Sequence, residues 1–192
     1  GLHRDRVLPA IELIKHITDV FNVDAGIDYR QRTLTQATVY HTPNDSAADE
    51  KLKTSFHDLA GASQGHSIHI NHRDIKARAF AGRVAWFDYD ALCGTARSQN
   101  DYLELIKQFD TIMVSNVPEL SPAMFSSARR FTWLIDVMYD HKTKIFISAA
   151  TAPESLYTEG QMANEFFRTV SRLTEMQSQE YLEEPVLEVK SL

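Results

Sequence analysis

The sequence predicts an α/β fold: a mostly parallel sheet with packed helices, plus a small antiparallel β-hairpin. Three observations predict it. Thr111-Ile112-Met113-Val114 and Lys144-Ile145-Phe146-Ile147-Ser148 are short runs with apolar centres, the pattern of parallel strands covered on both faces. Between them Met124, Ala128, Phe131, Ile135 and Met138 recur at helical spacing, so the three segments form a strand-helix-strand unit that should cross over right-handed. From His66 to Phe87, Ile68, Ile70, Ile75, Ala77 and Ala79 alternate with polar residues, which predicts a hairpin turning near Asn71 to Asp74 and a third strand at Arg83 to Phe87.

The remaining elements follow along the chain. Val7, Leu8, Ile11 and Ile14 predict an amphipathic helix from Arg4 to Ile17, with Pro9 tolerated in its first turns. Asp19 to Val23 reads as a strand and Asp24-Ala25-Gly26 as the turn after it. Ala37 to Thr42 is a second strand, and Pro43-Asn44-Asp45-Ser46 signals the start of a helix over Ala47 to Leu59. Asn100 is placed to cap a short helix from Asp101 to Phe109, and Ser121 to cap the long helix with Pro122 at its first position. A helix from about Glu165 to Leu182 closes the fold, leaving Glu183 to Leu192 as a polar tail.

Composition excludes several classes. With 192 residues, 43% of them hydrophobic, the chain is long enough for a substantial core. A net charge of -6 argues against nucleic-acid binding, which needs a basic surface. The single cysteine, Cys93, cannot form an internal disulfide, and no apolar run approaches the ~18 residues of a transmembrane segment. The charged, amphipathic N-terminus is not that of a signal peptide, and a cytoplasmic location is expected.

Arginines carry the functional signal. Arg129-Arg130 and the pair Arg168 and Arg172 sit at helical spacing around the two apolar strands. Guanidinium groups suit bidentate contact with phosphate, so clusters beside strand ends point to the accessory half of a nucleotide site. The other half is missing, because none of the seven glycines belongs to a G-x-x-x-x-G-K-[ST] phosphate-binding loop. Arg129 and Arg130 lie early in a helix, where the macrodipole disfavours a cation unless an anion compensates. That anion is either a ligand or a nearby acid. Arg168 and Arg172, four apart, repel each other and call for an anion as well. Glu165 and Glu175 would make a solvated ladder with them; a phosphate or a neighbouring subunit is the alternative.

The residues also carry a resemblance. Gly1-Leu2-His3-Arg4 with Leu8-Pro9, Asp28-Tyr29-Arg30, Phe87 through Leu92-Cys93, Asp101-Tyr102-Leu103, Ala128-Arg129-Arg130-Phe131 through Leu134-Ile135-Asp136 and Tyr139, and the block Arg168 to Ser178 resemble the ZapE family of AAA+-like ATPases. The match runs in order from Gly1 to about Tyr181. The resemblance implies the C-terminal part of a P-loop ATPase, since the family's phosphate-binding loop, acidic strand and sensor strand precede the Gly-Leu-x-Arg block. It implies residues 1–35 as the edge of the ATPase core, 36–83 as a helix and hairpin segment, 84–182 as a C-terminal α/β region and 183–192 as a tail. ATP and Mg²⁺ are implied as cofactors of the whole protein, with none bound by this chain alone. Arg4 takes the position of an arginine finger, Arg129 and Arg130 of a nucleotide sensor, and Arg168 and Arg172 of weaker nucleotide contacts. The family also implies a homo-oligomer, a role in cell division with FtsZ or another division protein as partner, a place at the division site, and in mitochondrial relatives protein quality control.

Other constellations are weaker. Ser115-Asn116 imitates a polar sensor, but the family's sensor lies upstream, so the pair reads as a strand-end turn. On a strand His66 and His72 would point one way and His69 the other, so no metal site is expected. Cys93 lacks an activating base and reads as a small buried residue. Asp136 and Asp140 read as paired or solvated, and Asp28 as a local partner of Arg30. A second function stays open beside the ATPase: a non-enzymatic interaction module acting through the hairpin region Ser63 to Phe87.

Overall fold

In the computed structural model, which describes residues 23–189, the chain opens with helix α1 over Val23–Gln36. The expected strand at Asp19 to Val23 lies outside the described residues apart from Val23 itself. The expected turn at Asp24-Ala25-Gly26 is instead helical. The helix packs on two others, α2 (Ser46–Ala60) and α6 (Gln179–Glu183), and such contacts override the weak helix propensity of Gly26. Between α1 and α2 runs the short strand β1 (Tyr40–His41). Asp45 caps α2 by accepting the Ala48 N–H at 2.9 Å, and Ala48, Leu52, Phe56 and Leu59 form its buried stripe.

The hairpin forms as the alternation predicts. Strands β2 (Gly65–Ile70) and β3 (Arg73–Ala81) are joined by Asn71 and His72, both at positive φ (47° and 63°), the conformation that two-residue hairpin turns require. Gly82, at φ 53°, turns β3 into β4 (Val84–Asp88). A π-helical turn over Asp90–Gly94 leads to α3 (Gln99–Gln108). The cap of α3 is Ser98 rather than Asn100. Its hydroxyl accepts from the Asp101 N–H while the Asp101 carboxylate accepts from the Ser98 N–H, a reciprocal pair that Asn100 is placed too late to make.

Next come β5 (Thr111–Val117), a 3₁₀ turn at Pro122–Met124, α4 (Phe125–Asp140) and β6 (Lys144–Ala149). Ser121 makes no side-chain cap, so the long helix starts three residues later than the Ser-Pro pair suggests. The single closing helix expected over Glu165 to Leu182 is two, α5 (Ala163–Glu175) and α6, because the Ser178 hydroxyl accepts from the Tyr181 N–H and starts a new helix. The tail is not wholly free: the Leu187 N–H donates to the His141 carbonyl at 2.8 Å.

The six strands of the described residues share one sheet in the order β1-β6-β5-β4-β3-β2. The pairs β1–β6, β6–β5 and β5–β4 are parallel, and β4–β3 and β3–β2 antiparallel, so the hairpin extends the parallel sheet at one side. Alternate residues of β4 divide between two cores. Ala85 and Phe87 face α3, α4 and α5; Val84 and Trp86 face α2. Both faces are therefore covered, which is why these strands read as continuous apolar runs.

Lys144 opens β6 and is 3% exposed. Its Nζ donates to the carbonyls of Tyr181 and Glu184, each at 2.6 Å, tying α6 to the sheet. Burial pushes this amine down to about 8; Glu184 opposes the shift and Lys142 adds to it. The folded protein thus releases the proton near pH 8, whereas the unfolded chain keeps it up to the ordinary 10.5. Between those values the unfolded state binds more protons, so stability rises with pH. Relative to Lys144→Met, the wild type is expected to gain roughly 2 kcal/mol as the pH is raised from about 7 to about 10. Paired urea titrations across that range check it, and a constant difference between the two proteins would refute it.

Candidate functional site

The sequence-selected arginines divide into three groups in space. Arg4 lies outside the described residues. Arg168 and Arg172 project from α5 onto α4, where Asp136 accepts from both, Arg168 at 2.8 Å, and Asp140 accepts from Arg172 at 3.3 Å. Their partners come from the adjacent helix, not from Glu165 and Glu175 as a single-helix ladder would have it. Glu175 accepts instead from the Tyr139 hydroxyl at 2.7 Å, and the Arg172 guanidinium stacks 4.8 Å from the Tyr139 ring centroid. Beneath them the buried hydroxyls of Thr132 and Thr169 meet at 3.2 Å. Two like charges four residues apart are thus neutralised by one helix-helix interface.

Arg129 and Arg130 sit on the second turn of α4 and point apart, as successive helical residues do. Arg129 is exposed, its guanidinium 4.9 Å from the Phe125 ring centroid. Arg130 is half-buried and donates Nε–H to the Cys93 carbonyl at 2.6 Å. Two further arginines grip the same β4–α3 connection. Arg97 donates to the Ala91 carbonyl at 3.2 Å, and Arg73 to the Ala96 carbonyl at 3.1 Å. Arg73 also forks onto Asp101 at 2.9 and 3.0 Å, while Asn71 donates to the same carboxylate at 3.0 Å. Neither Arg73 nor Arg97 stood out in the sequence. The one signal for Arg97 was its place directly before the Ser-x-x-Asp start of α3.

The connection packs on a buried thiol. Cys93 is fully buried, and burial pushes its thiol up to about 12, outweighing the hydrogen bond from Tyr102 and the charges of Arg130 and Arg97 that pull it down. Such a thiol is inert at neutral pH. The Tyr102 hydroxyl donates to the Leu92 carbonyl at 2.8 Å, so this corner is held by side chain to backbone bonds throughout.

A cleft opens at the carboxyl ends of β4 and β5, with Lys76, Arg78, Asp88, Asp90 and Asn116 among its lining beside Ala77, Tyr89 and Ala91. The β5–β6 register shifts between Val114 and Val117, and Asn116 takes φ 62°. Its N–H donates to the Ser148 hydroxyl at 3.1 Å and its amide to Asp88 at 2.9 Å. Ser115 is buried and accepts from the Trp86 indole at 2.8 Å. The pair therefore anchors a strand end. Arg78 forks onto Asp49 and lies 4.5 Å from the Trp86 ring centroid.

The rings of His69 and His72 meet edge to face at 6.5 Å between centroids. The His66 Nδ1 lies 2.6 Å from the Arg78 carbonyl and the His69 Nδ1 2.9 Å from Asp74. His72 is in the hairpin turn, so strand alternation does not govern its direction. Among the described residues no group of three His, Cys, Asp or Glu side chains could hold a metal ion. No helix among them is long and apolar enough to cross a membrane.

A family model described as AFG1-like ATPase matches residues 1–185. The chain is 41% identical over 184 residues to the Cell division protein ZapE of Escherichia coli K12, covering 95% of this chain and 49% of that protein. It is 29% identical to the Lactation elevated protein 1 homolog B of Danio rerio over a 218-residue alignment, which covers 94% of this chain and 43% of that protein. An uncharacterized protein of Schizosaccharomyces pombe is 26% identical, with 96% and 48% covered. The chain thus spans about half the length of the curated relatives it matches. No solved structure matches.

Proposed function

Because the chain belongs to the AFG1-like ATPase family, we propose that it is the C-terminal α/β part of an ATP hydrolase acting in cell division, supplying arginines rather than the phosphate-binding loop. The 41% identity to the E. coli Cell division protein ZapE across 95% of the chain carries this reading. In it, residues 1–35 form the edge of the ATPase core, 36–83 the helix and hairpin segment, and 84–182 the C-terminal α/β region, with 183–192 as the tail. ATP and Mg²⁺ bind the whole protein. The residues present here do not fit a complete site, since the sequence contains no G-x-x-x-x-G-K-[ST] loop and the described residues contain no metal-holding cluster. The isolated chain neither binds ATP tightly nor hydrolyses it.

Arg4 acts as the finger toward a neighbouring subunit of a homo-oligomer, and Arg129 and Arg130 contact nucleotide. Arg129 supports this by its exposure. Arg168 and Arg172 have a smaller part, because Asp136 already neutralises them. The working partner is FtsZ or another division protein, met in the cytoplasm at the division site; protein quality control is the other role that the resemblance implies for such an ATPase. In the full-length protein, Arg4→Ala and Arg129→Ala are each expected to lower ATP turnover at least about tenfold with unchanged circular dichroism. Unchanged turnover in both would leave only the second role, a binding module acting through Ser63 to Phe87.

A further inference from the structure

At the β1 edge of the sheet a buried nitrogen lacks a partner. His41 is 9% exposed, and its Nε2 is buried without a hydrogen bond. The ring donates to the Thr38 carbonyl, which puts that proton on Nδ1 and leaves the lone pair on Nε2. A buried acceptor in this state is costly, so it calls for a donor that the described side chains do not supply.

His41 lines a cleft of about 280 Å³ between β1 and the start of α2, together with Thr42, Asp45, Ala47 and Lys51. Lys51 lies close enough for its charge to lower the His41 pKa, beside the larger effect of burial. Among the described residues no carboxylate oxygen comes within 4.0 Å of the Lys51 ammonium, whereas Lys53 on the same helix reaches Glu50 at 3.8 Å. Ala47 adds a second donor, because its N–H is in the first turn of α2 and has no acceptor within the helix. Asp45 is the one carboxylate in the lining. Its Oδ1 already accepts the Ala48 N–H at 2.9 Å, and its charge is not among those acting on the His41 ring. The cleft thus presents donors on its α2 side and a buried acceptor on its β1 side.

Few small anions meet both sides. A carboxylate, a sulfate or a phosphate monoester at pH 7.5 only accepts, the monoester because its second pKa is about 6. Hydrogenphosphate keeps one P–OH, which donates to Nε2 while the other oxygens accept from Lys51 and the Ala47 N–H. We propose that the cleft between β1 and α2 is a binding site for inorganic phosphate, held by His41, Lys51 and the first turn of α2. This goes beyond the proposed function, whose arginines on α4 lie on the opposite face of the sheet from α2. Hydrolysis of ATP by the whole protein would supply such a phosphate, but the chemistry of the cleft does not depend on it.

The test is a heteronuclear NMR titration of this chain at pH 7.5, reading the assigned His41 ring as phosphate, sulfate and AMP are added in turn. Phosphate is expected to move the His41 resonances with about millimolar affinity, and sulfate and AMP to leave them in place. Lys51→Gln, at an exposed position, should keep the fold and weaken phosphate binding about tenfold, whereas Lys53→Gln leaves it unchanged. No response of the ring to phosphate at tens of millimolar overturns the site. An equal response to sulfate or AMP overturns it as well, since it would mean a bare cation with no use for the P–OH. So does unchanged affinity in Lys51→Gln. None of these readouts involves ATP turnover, so failure of the ATPase reading and failure of this site are distinguishable.

Discussion

Replacing Asp101 with alanine is expected to destabilise the protein by about 3 kcal/mol, a fall in Tm of roughly 6–12 °C for a chain of this size. The side chain is 2% exposed and accepts five hydrogen bonds from three residues: the N–H and hydroxyl of Ser98, the Asn71 amide, and the Arg73 fork at both oxygens. Removing it takes away the reciprocal half of the α3 capping pair, although the Ser98 hydroxyl still caps, and leaves the Ser98 N–H and the Asn71 and Arg73 donors without their acceptor at the hairpin turn. Arg73 is half exposed, so the ion pair contributes the smaller share. Arg73→Ala should accordingly cost about 1 kcal/mol or less. The same carboxylate sets an acid limit. Burial raises its pKa, but the Ser98 N–H, the Asn71 amide and the Arg73 guanidinium outweigh burial and hold it below the ordinary 3.8. A depressed folded pKa means stability that is complete above 3.8 and disappears as the pH falls through the lower folded value. Thermal denaturation of wild type and Asp101→Ala at neutral pH and near pH 3 measures both effects; a neutral-pH loss below about 1 kcal/mol would show that the junction is held by apolar packing instead.

Asp136→Ala is the second large effect, at about 2–3 kcal/mol. Asp136 and Arg172 are 13% and 19% exposed, so truncating the carboxylate leaves a largely buried guanidinium with only Asp140 in reach. Arg168 is 62% exposed and its removal should cost under about 1 kcal/mol. The asymmetry is the diagnostic. If these arginines chiefly hold α5 against α4, Asp136→Ala and Arg172→Ala are non-additive in a double-mutant cycle measured by urea unfolding. Additive losses would mean that Arg172 has its main partner elsewhere.

These two residues mark how far the sequence could be read. The strands Thr111–Val117 and Lys144–Ala149 were legible because burial on both faces leaves an uninterrupted apolar run. The stripe of α4 was legible because period 3.6 survives in a helix with one buried side. The β2–β3 hairpin announced itself by alternation, and its turn falls at Asn71 and His72, both at positive φ. Element ends were less legible. The sequence pointed to Asn100 and Ser121 as caps, yet it is Ser98 and Ser178 that place a hydroxyl on a helix N–H. That outcome depends on the backbone leading into each helix. The turn expected at Asp24 to Gly26 became helix, where contacts with α2 and α6 supersede local preference.

The arginines divide along the same line. Sequence by itself determined that the chain is α/β, that its hairpin turns near Asn71 to Asp74, that it contains no phosphate-binding loop, and, through its residue blocks, which ATPase family it resembles. Tertiary structure alone decided what each cation faces. Arg168 and Arg172 face Asp136 because α4 and α5 pack side by side, and Arg97 and Arg130 face backbone carbonyls because the β4–α3 connection folds between them. The physical reason is range. Periodicity and capping are set by residues three or four apart, whereas the partners of Arg130, Arg168 and Arg172 are set by which element lies beside them, 32 to 37 residues away along the chain.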